Sequence, residues 1–193
     1  MNPYKRPDRF TQKAKDEGYA ARSVYKLDEI DRRVRLLRRG QRVLDLGCAP
    51  GSWSKYVIEK TGGVVGVDLT EVAMPGGTFL TASIYELTVG QLQEALGGNA
   101  DVVLSDMAQL TTGARDADHF AQIELARRAF EIACEILVPG GAFVAKVFEG
   151  QDAKAFELDV RKRFDEAKRI RPEAVRQNSR EWFMVGQGFK PSG

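Results

Sequence analysis

Residues 45–53 read Asp-Leu-Gly-Cys-Ala-Pro-Gly-Ser-Trp. A short apolar run, Arg42–Leu46, leads in and a helix-like stretch, Ser52–Lys60, leads out, so the segment is a tight turn between strand and helix. Gly47 lets the chain reverse sharply, and Gly51 removes a side chain where a ligand must approach the backbone. The two glycines stand four apart. That spells neither the G-x-G-x-x-G of a dinucleotide site nor the G-x-x-x-x-G-K-[ST] of a phosphate cradle. Asp45, just before the turn, disfavours a nearby pyrophosphate and suits a ligand with a positive end, such as an α-amino group. Asp68 ends the next apolar run 23 residues later. A carboxylate there can accept two hydrogen bonds from ribose hydroxyls. Lys146 interrupts the apolar run AFVAKVF, where a lysine is costly unless it is paired or functional.

A molecule with ribose hydroxyls at one end and an ammonium at the other fits S-adenosylmethionine. The competing reading of the two aspartates is a plain tight turn and a surface carboxylate. For Lys146 it is a buried ion-pair network. The only histidine is His119, and the two cysteines, Cys48 and Cys134, form no C-x-x-C pair. No zinc site of ordinary spacing follows and no metal is expected. Cys48 in the turn and Cys134 on a helix read as packing residues, and His119 as a surface or capping residue.

These residues need elements to position them. Val24, Leu27, Ile30, Val34 and Leu37 recur every three or four places, predicting an amphipathic helix over 20–38 that Gly40 stops. Strands are predicted at 42–46, 64–69, 78–82, 101–106, 142–148, 168–171 and 182–188. Helices are predicted at 52–60, 86–96, 118–137 and 153–164, the third stopped by Pro139-Gly140-Gly141. Alternating strands and helices predict an α/β fold with a mostly parallel seven-stranded sheet and helices on both faces. In such sheets ligands lie at the carboxyl ends of the strands. Asp45, Asp68, Ser83, Asp106 and Lys146 all fall at or near predicted strand ends.

The chain has 193 residues and ordinary globular composition, with 43% hydrophobic and 29% charged residues, which excludes collagen-like, disordered and membrane-spanning classes. Residues 1–16 read as a loose basic arm, and 17–193 as a single domain. No apolar leader or long apolar run is present, so the expected location is the cytoplasm, with no membrane partner. Net charge is +7 over residues 1–42, −8 over 43–150 and +3 over 151–193. Basic ends around an acidic middle point to a polyanion. Lys5, Arg6, Arg9, Lys13, Lys15, Arg22, Arg32 and Arg33 form a basic region beside Lys26, suited to phosphate contacts.

DLGCAPGSWSKYV resembles the cofactor loop of the FtsJ/RrmJ family of S-adenosylmethionine-dependent RNA ribose 2′-O-methyltransferases, whose usual form is close to DLGAAPGGWSQ. The resemblance continues through GYAARSVYKLDEI, VVGVDL, VVLSDMA, LVPGGAFVAKVFEG and SREWFMVGQGFK, in order, from Gly18 onward. It implies a Rossmann-like methyltransferase fold and a Lys–Asp–Lys–Glu tetrad at Lys26, Asp106, Lys146 and Glu181. It implies cofactor contacts from Asp45, Gly47, Ala49, Pro50, Gly51, Trp53, Asp68, Ser83 and Asp106. A ribose 2′-hydroxyl must be held in line and relieved of its proton, and Lys146 is the candidate general base. Asp106 and Glu181 would orient the reacting groups, while Lys26 balances them or grips RNA. The implied substrate is a uridine of large-subunit ribosomal RNA, with transfer RNA as the alternative. A non-catalytic RNA-binding assembly factor on the same scaffold is the second reading.

The chain departs from the family at three places. It reads DMAQL where the family often has DMAPN, placing Gln109 in the loop beside Asp106. Ser83 stands where an aspartate commonly faces the adenine amine, and Ser52 replaces a glycine. The Asn/Asp-Pro-Pro-aromatic stretch of exocyclic-amine methylation is absent, as is a nucleophilic cysteine for carbon-5 methylation. The glycine spacing disfavours a nicotinamide oxidoreductase.

Overall fold

Strand residues alternate between two apolar cores, and that alternation decides what faces the site. The computed structural model describes residues 9–108 and 115–191, with side chains in the long helix from Phe120 on. The elements are α1 (Arg9–Asp16), α2 (Val24–Val34), β1 (Val43–Leu46), α3 (Ser52–Thr61), β2 (Val64–Asp68), β3 (Gly77–Thr81), α4 (Val89–Leu96), β4 (Ala100–Ser105), α5 (Arg115–Ile136), β5 (Leu137–Phe148), α6 (Ala153–Arg163), β6 (Phe164–Ile170) and β7 (Glu181–Phe189). They build one seven-stranded sheet in the order β3-β2-β1-β4-β5-β7-β6. The pairings from β3 through β5 are parallel, and β7 runs antiparallel between β5 and β6. Strand order reverses between β1 and β4, which opens a crevice at their carboxyl ends.

On one face Leu44, Leu46, Val103, Phe143, Ala145, Val147 and Met184 pack under α4, α5 and α6. On the other Val43, Val102, Leu104, Val144, Phe183 and Val185 pack under α1, α2 and α3. Side chains alternate along a strand. Asp45, two after Val43, therefore faces the α2–α3 side. So do Asp106 after Leu104, Lys146 after Val144 and Glu181 before Phe183. Period two alone delivers these four polar groups to one face.

Element boundaries show where side chains overruled periodicity. Helix α2 ends at Val34, short of the expected 38, because Arg35 turns left-handed (φ 54°). The buried Asp31 carboxylate accepts from Leu37 N at 2.8 Å, so Leu36 and Leu37 both turn inward beyond the helix. Helix α4 begins at Val89 rather than 86, since Thr88 and Gln91 form a reciprocal capping box. Strand β5 starts at Leu137 with an irregular register and carries Pro139–Gly141 within it. Residues 9–16 are not loose. They form α1, which buries Ala14 and sets Phe10 against Tyr25 with ring centroids 5.6 Å apart. The rest of the expected arm, residues 1–8 with Lys5 and Arg6, lies outside the described residues, as does Gln109. Among the described residues no helix is long and apolar enough to cross a membrane.

Candidate active site

The turn after β1 is stitched to β2. Gly47 N and Cys48 N both donate to Val67 O, at 2.8 and 3.2 Å. Asp68 Oδ2 accepts from Ala49 N at 3.0 Å, and its Oδ1 from Thr70 N at 2.8 Å. Each carboxylate oxygen keeps a second lone pair, which is what ribose hydroxyls require. Gly47 adopts φ +77°, and a Cβ built on it would lie 2.4 Å from Met107 Cγ and 3.0 Å from Met107 Cα. Gly47→Ala is therefore expected to lose about 1–3 kcal/mol of stability from backbone strain and overlap together. Thermal unfolding would register this as a drop of several degrees.

Gly47, Ala49, Asp68, Ser83, Ile84, Tyr85, Asp106 and Met107 are among the residues lining a cleft of about 680 Å³ at the strand ends. Asp45 lies at the end of β1, 1% exposed. Its Oδ2 accepts from Ser54 Oγ at 2.6 Å, and its Oδ1 is buried without a hydrogen-bond partner among the described residues. Burial pushes its carboxyl up to about 7, with the charges of Asp106 and Asp68 adding to the shift and the Ser54 bond opposing it. A buried carboxylate whose Oδ1 has no partner among the described residues suits an incoming ammonium. Among the described residues Ser83 Oγ accepts a long bond from Tyr85 N, 3.3 Å, and sits on the cleft wall.

Not every expected contact lies in this cleft. Pro50 and Gly51 line a neighbouring cleft with Lys55, Ile58 and Met74. Trp53 is buried beneath α2. Its indole donates to Ser23 O at 2.8 Å and its ring lies 5.7 Å from Phe183. It anchors α3 to the start of α2. Burial pushes the Cys48 thiol up to about 12 and also raises that of Cys134, so neither is poised as a nucleophile. The side chain of His119 lies outside the described residues.

Lys26, Asp106, Lys146 and Glu181 meet beside the cleft. Lys146 Nζ donates to Asp106 O at 2.8 Å and stands 3.2 Å from Asp106 Oδ1. Lys26 Nζ lies 2.6 Å from Glu181 Oε1 and 3.8 Å from Asp106 Oδ1. Asp106 Oδ1 thus has two ammonium groups beside it, yet neither reaches it with hydrogen-bond geometry. The cluster contains two cations and two anions, a buried network in which each charge faces its opposite. Lys26 also lies over the Phe183 ring at 5.7 Å. Its partner Glu181 is held by Arg171, whose guanidinium donates to the carbonyls of Glu181 and Ser179, both at 2.7 Å.

Three supporting residues escape the sequence reading. Arg171 reaches backbone carbonyls, which carry no side-chain signature. Ser54 is one more small residue in an α3 read only for its apolar positions. Gln122 left a signal: it is a glutamine on the buried stripe of α5, four before Ala126 and seven before Ala129.

A parallel sheet with one antiparallel strand, a ligand cleft at the switch point and a carboxylate at each of its first two strand ends define a Rossmann-like methyltransferase. A structure described as a ribosomal RNA methyltransferase from Plasmodium falciparum shares this fold, with a TM-score of 0.80 over 90% of this chain and 100% of that chain at 24% identity. The sequence matches the FtsJ-like methyltransferase family over residues 19–189, and the chain belongs to that family. It is 48% identical to "Ribosomal RNA large subunit methyltransferase E" of Sorangium cellulosum, covering 100% of this chain and 92% of that protein. It is 44% identical to the protein of the same description from Desulforapulum autotrophicum, covering 95% and 93%. The chain is thus an S-adenosylmethionine-dependent methyltransferase.

Proposed function

We propose that the protein transfers a methyl group from S-adenosylmethionine to a ribose 2′-hydroxyl of large-subunit ribosomal RNA, most simply at a uridine. The observation that carries the reading is Lys146. It is buried in β5 beside the cofactor cleft and held to Asp106 by both the backbone carbonyl and the carboxylate. The relatives named for the large subunit cover almost the whole chain, which supports the substrate.

The cofactor supplies a methyl group already activated by a sulfonium. The protein's part is binding, positioning and proton removal. Asp45 would hold the ammonium end, and Asp68 the ribose hydroxyls. The turn at Gly47 lets the backbone approach closely. Having first lost its own proton to solvent, the Lys146 amine would take the 2′-hydroxyl proton, with Asp106 fixing its Nζ. Lys26 and Glu181 neutralise one another at the mouth and keep Asp106 from facing an unbalanced charge. Basic groups on the α1–α2 side, including Arg9, Lys13 and Arg22, would meet RNA phosphates, so binding should weaken steeply with salt. In this reading the protein acts in the cytoplasm as a monomer.

The test is transfer of labelled methyl from S-adenosylmethionine to purified large ribosomal subunits and, in parallel, to transfer RNA, followed by nucleoside analysis. Label on a ribose 2′-oxygen of the large subunit is the expected result. Label confined to transfer RNA keeps the chemistry and moves the substrate. No label on either, with cofactor binding intact, overturns the reading in favour of a non-catalytic RNA-binding protein.

A further inference from the structure

Gln122 lies in α5, on the opposite side of the sheet from Lys146, and is 3% exposed. Its Nε2 donates to two backbone carbonyls, Met107 O at 3.0 Å and Lys146 O at 3.2 Å. These are the residue after Asp106 and the candidate base itself. The register of β4 with β5 ends at Ser105↔Ala145. Both carbonyls therefore lie past the last register pair, where the two strands begin to part. One amide bridges them. Carbonyl oxygens cannot donate, so the amide nitrogen must face them and Oε1 must point elsewhere. That oxygen is buried and has no hydrogen-bond partner among the described residues.

A stranded buried acceptor loses its hydration without gaining a bond in return, which destabilises the fold. Methionine has nearly the same length and would fill this apolar stripe without stranding a side-chain oxygen, but it would leave the two carbonyls without this donor. Helix packing alone therefore does not explain a glutamine here. The bridge does. Lys146 Nζ meets Asp106 through the backbone carbonyl as well as the carboxylate, so their contact depends on how far β4 and β5 have separated at that level. We propose that Gln122 is a positioning residue for methyl transfer: it ties the ends of β4 and β5 together from behind the sheet and so holds Lys146 against Asp106. It touches neither cofactor nor RNA and acts only through the backbone. The inference rests on the reading of Lys146 and Asp106 as reacting groups.

The test compares Gln122→Met, Lys146→Met and the unaltered protein. Single-turnover methyl transfer to large ribosomal subunits, cofactor affinity by calorimetry and the unfolding temperature are measured for each. For Gln122→Met the transfer rate is expected to fall roughly 10- to 100-fold, because a displacement of about 1 Å at reacting atoms costs that much. Cofactor affinity should stay within about twofold, since a loss confined to the transfer step leaves binding intact. The unfolding temperature should fall, because two carbonyls lose this donor and only one stranded oxygen is removed, so the transfer rate is read on the folded fraction. A transfer rate that falls only in proportion to the folded fraction overturns the proposal and leaves a purely structural role. If Gln122→Met does not fold, Gln122→Asn, whose stem is too short to span both carbonyls, is measured by the same criteria. Wild-type transfer by Lys146→Met overturns the catalytic reading itself. Wild-type transfer by Gln122→Met with Lys146→Met inactive overturns only the positioning role.

Discussion

Lys146→Met is expected to lower methyl transfer by about 10²–10⁴-fold, the range a positioned general base contributes. The methionine keeps most of the apolar stem packed in β5 and removes only the ammonium group. Two contacts to Asp106 then disappear, the 2.8 Å bond to its carbonyl and the 3.2 Å approach to its carboxylate. Cofactor affinity should change little, because Asp45, Gly47 and Asp68 lie on other strands and turns. Asp106 would be left facing Lys26 at 3.8 Å. Leaving a buried carboxylate with a weaker partner costs stability, so the unfolding temperature should fall as well. Single-turnover kinetics on protein shown to be folded separate the two effects. A rate within about threefold of wild type would remove Lys146 from the chemistry, being far below any general-base contribution.

Cofactor affinity should rise with pH and level off above about 7, where Asp45 becomes ionised. The free protein holds this carboxyl protonated below that point, because burial and the neighbouring Asp106 and Asp68 charges disfavour its anion. An arriving ammonium needs the anion. Each pH unit below 7 should then cost up to about 1.4 kcal/mol, a factor of ten. Stability of the free protein runs the other way. Asp45 is raised from 3.8 to about 7, so the folded state binds an extra proton between those values. Its contribution is favourable at low pH and is lost as pH rises through that window. Asp45→Asn should flatten both dependences and weaken cofactor binding by about 2–5 kcal/mol, the cost of breaking a buried charge pair. Calorimetric titration of S-adenosylmethionine at pH 5.5, 6.5 and 7.5 reads the first effect. An affinity flat across that range and unmoved by Asp45→Asn would show that the ammonium does not seat there.

Local pattern carried most of the architecture. Apolar runs of strand length, broken by glycine and proline, place five of the seven strands to within one residue at each end and the starts of β5 and β6 five and four residues late, and their alternation with helices yields the parallel sheet. Misjudged ends have side-chain causes that periodicity does not encode: the Asp31–Leu37 bond, the Thr88–Gln91 box, and Phe10 and Ala14 docking a segment whose charge suggested a free arm. For the candidate site, the residues that drew notice were those whose type clashed with their surroundings. Lys146 in an apolar run and Asp45 before a glycine turn stand out for that reason.

Convergence was not legible in the same way. Lys26 and Glu181 lie 155 positions apart on a helix and the antiparallel strand, and ordinary spacing rules do not reach across that distance. Their 2.6 Å pair exists because β7 inserts between β5 and β6 and α2 crosses the same face. Trp53 shows the converse. Its place in the glycine turn was legible, but the direction of its side chain is set by α3, which turns it into the core against Phe183. Side-chain types along the chain determined which groups could do the chemistry. Strand order and helix crossing decided which of them meet, because contact across a sheet depends on three-dimensional register and not on separation along the backbone.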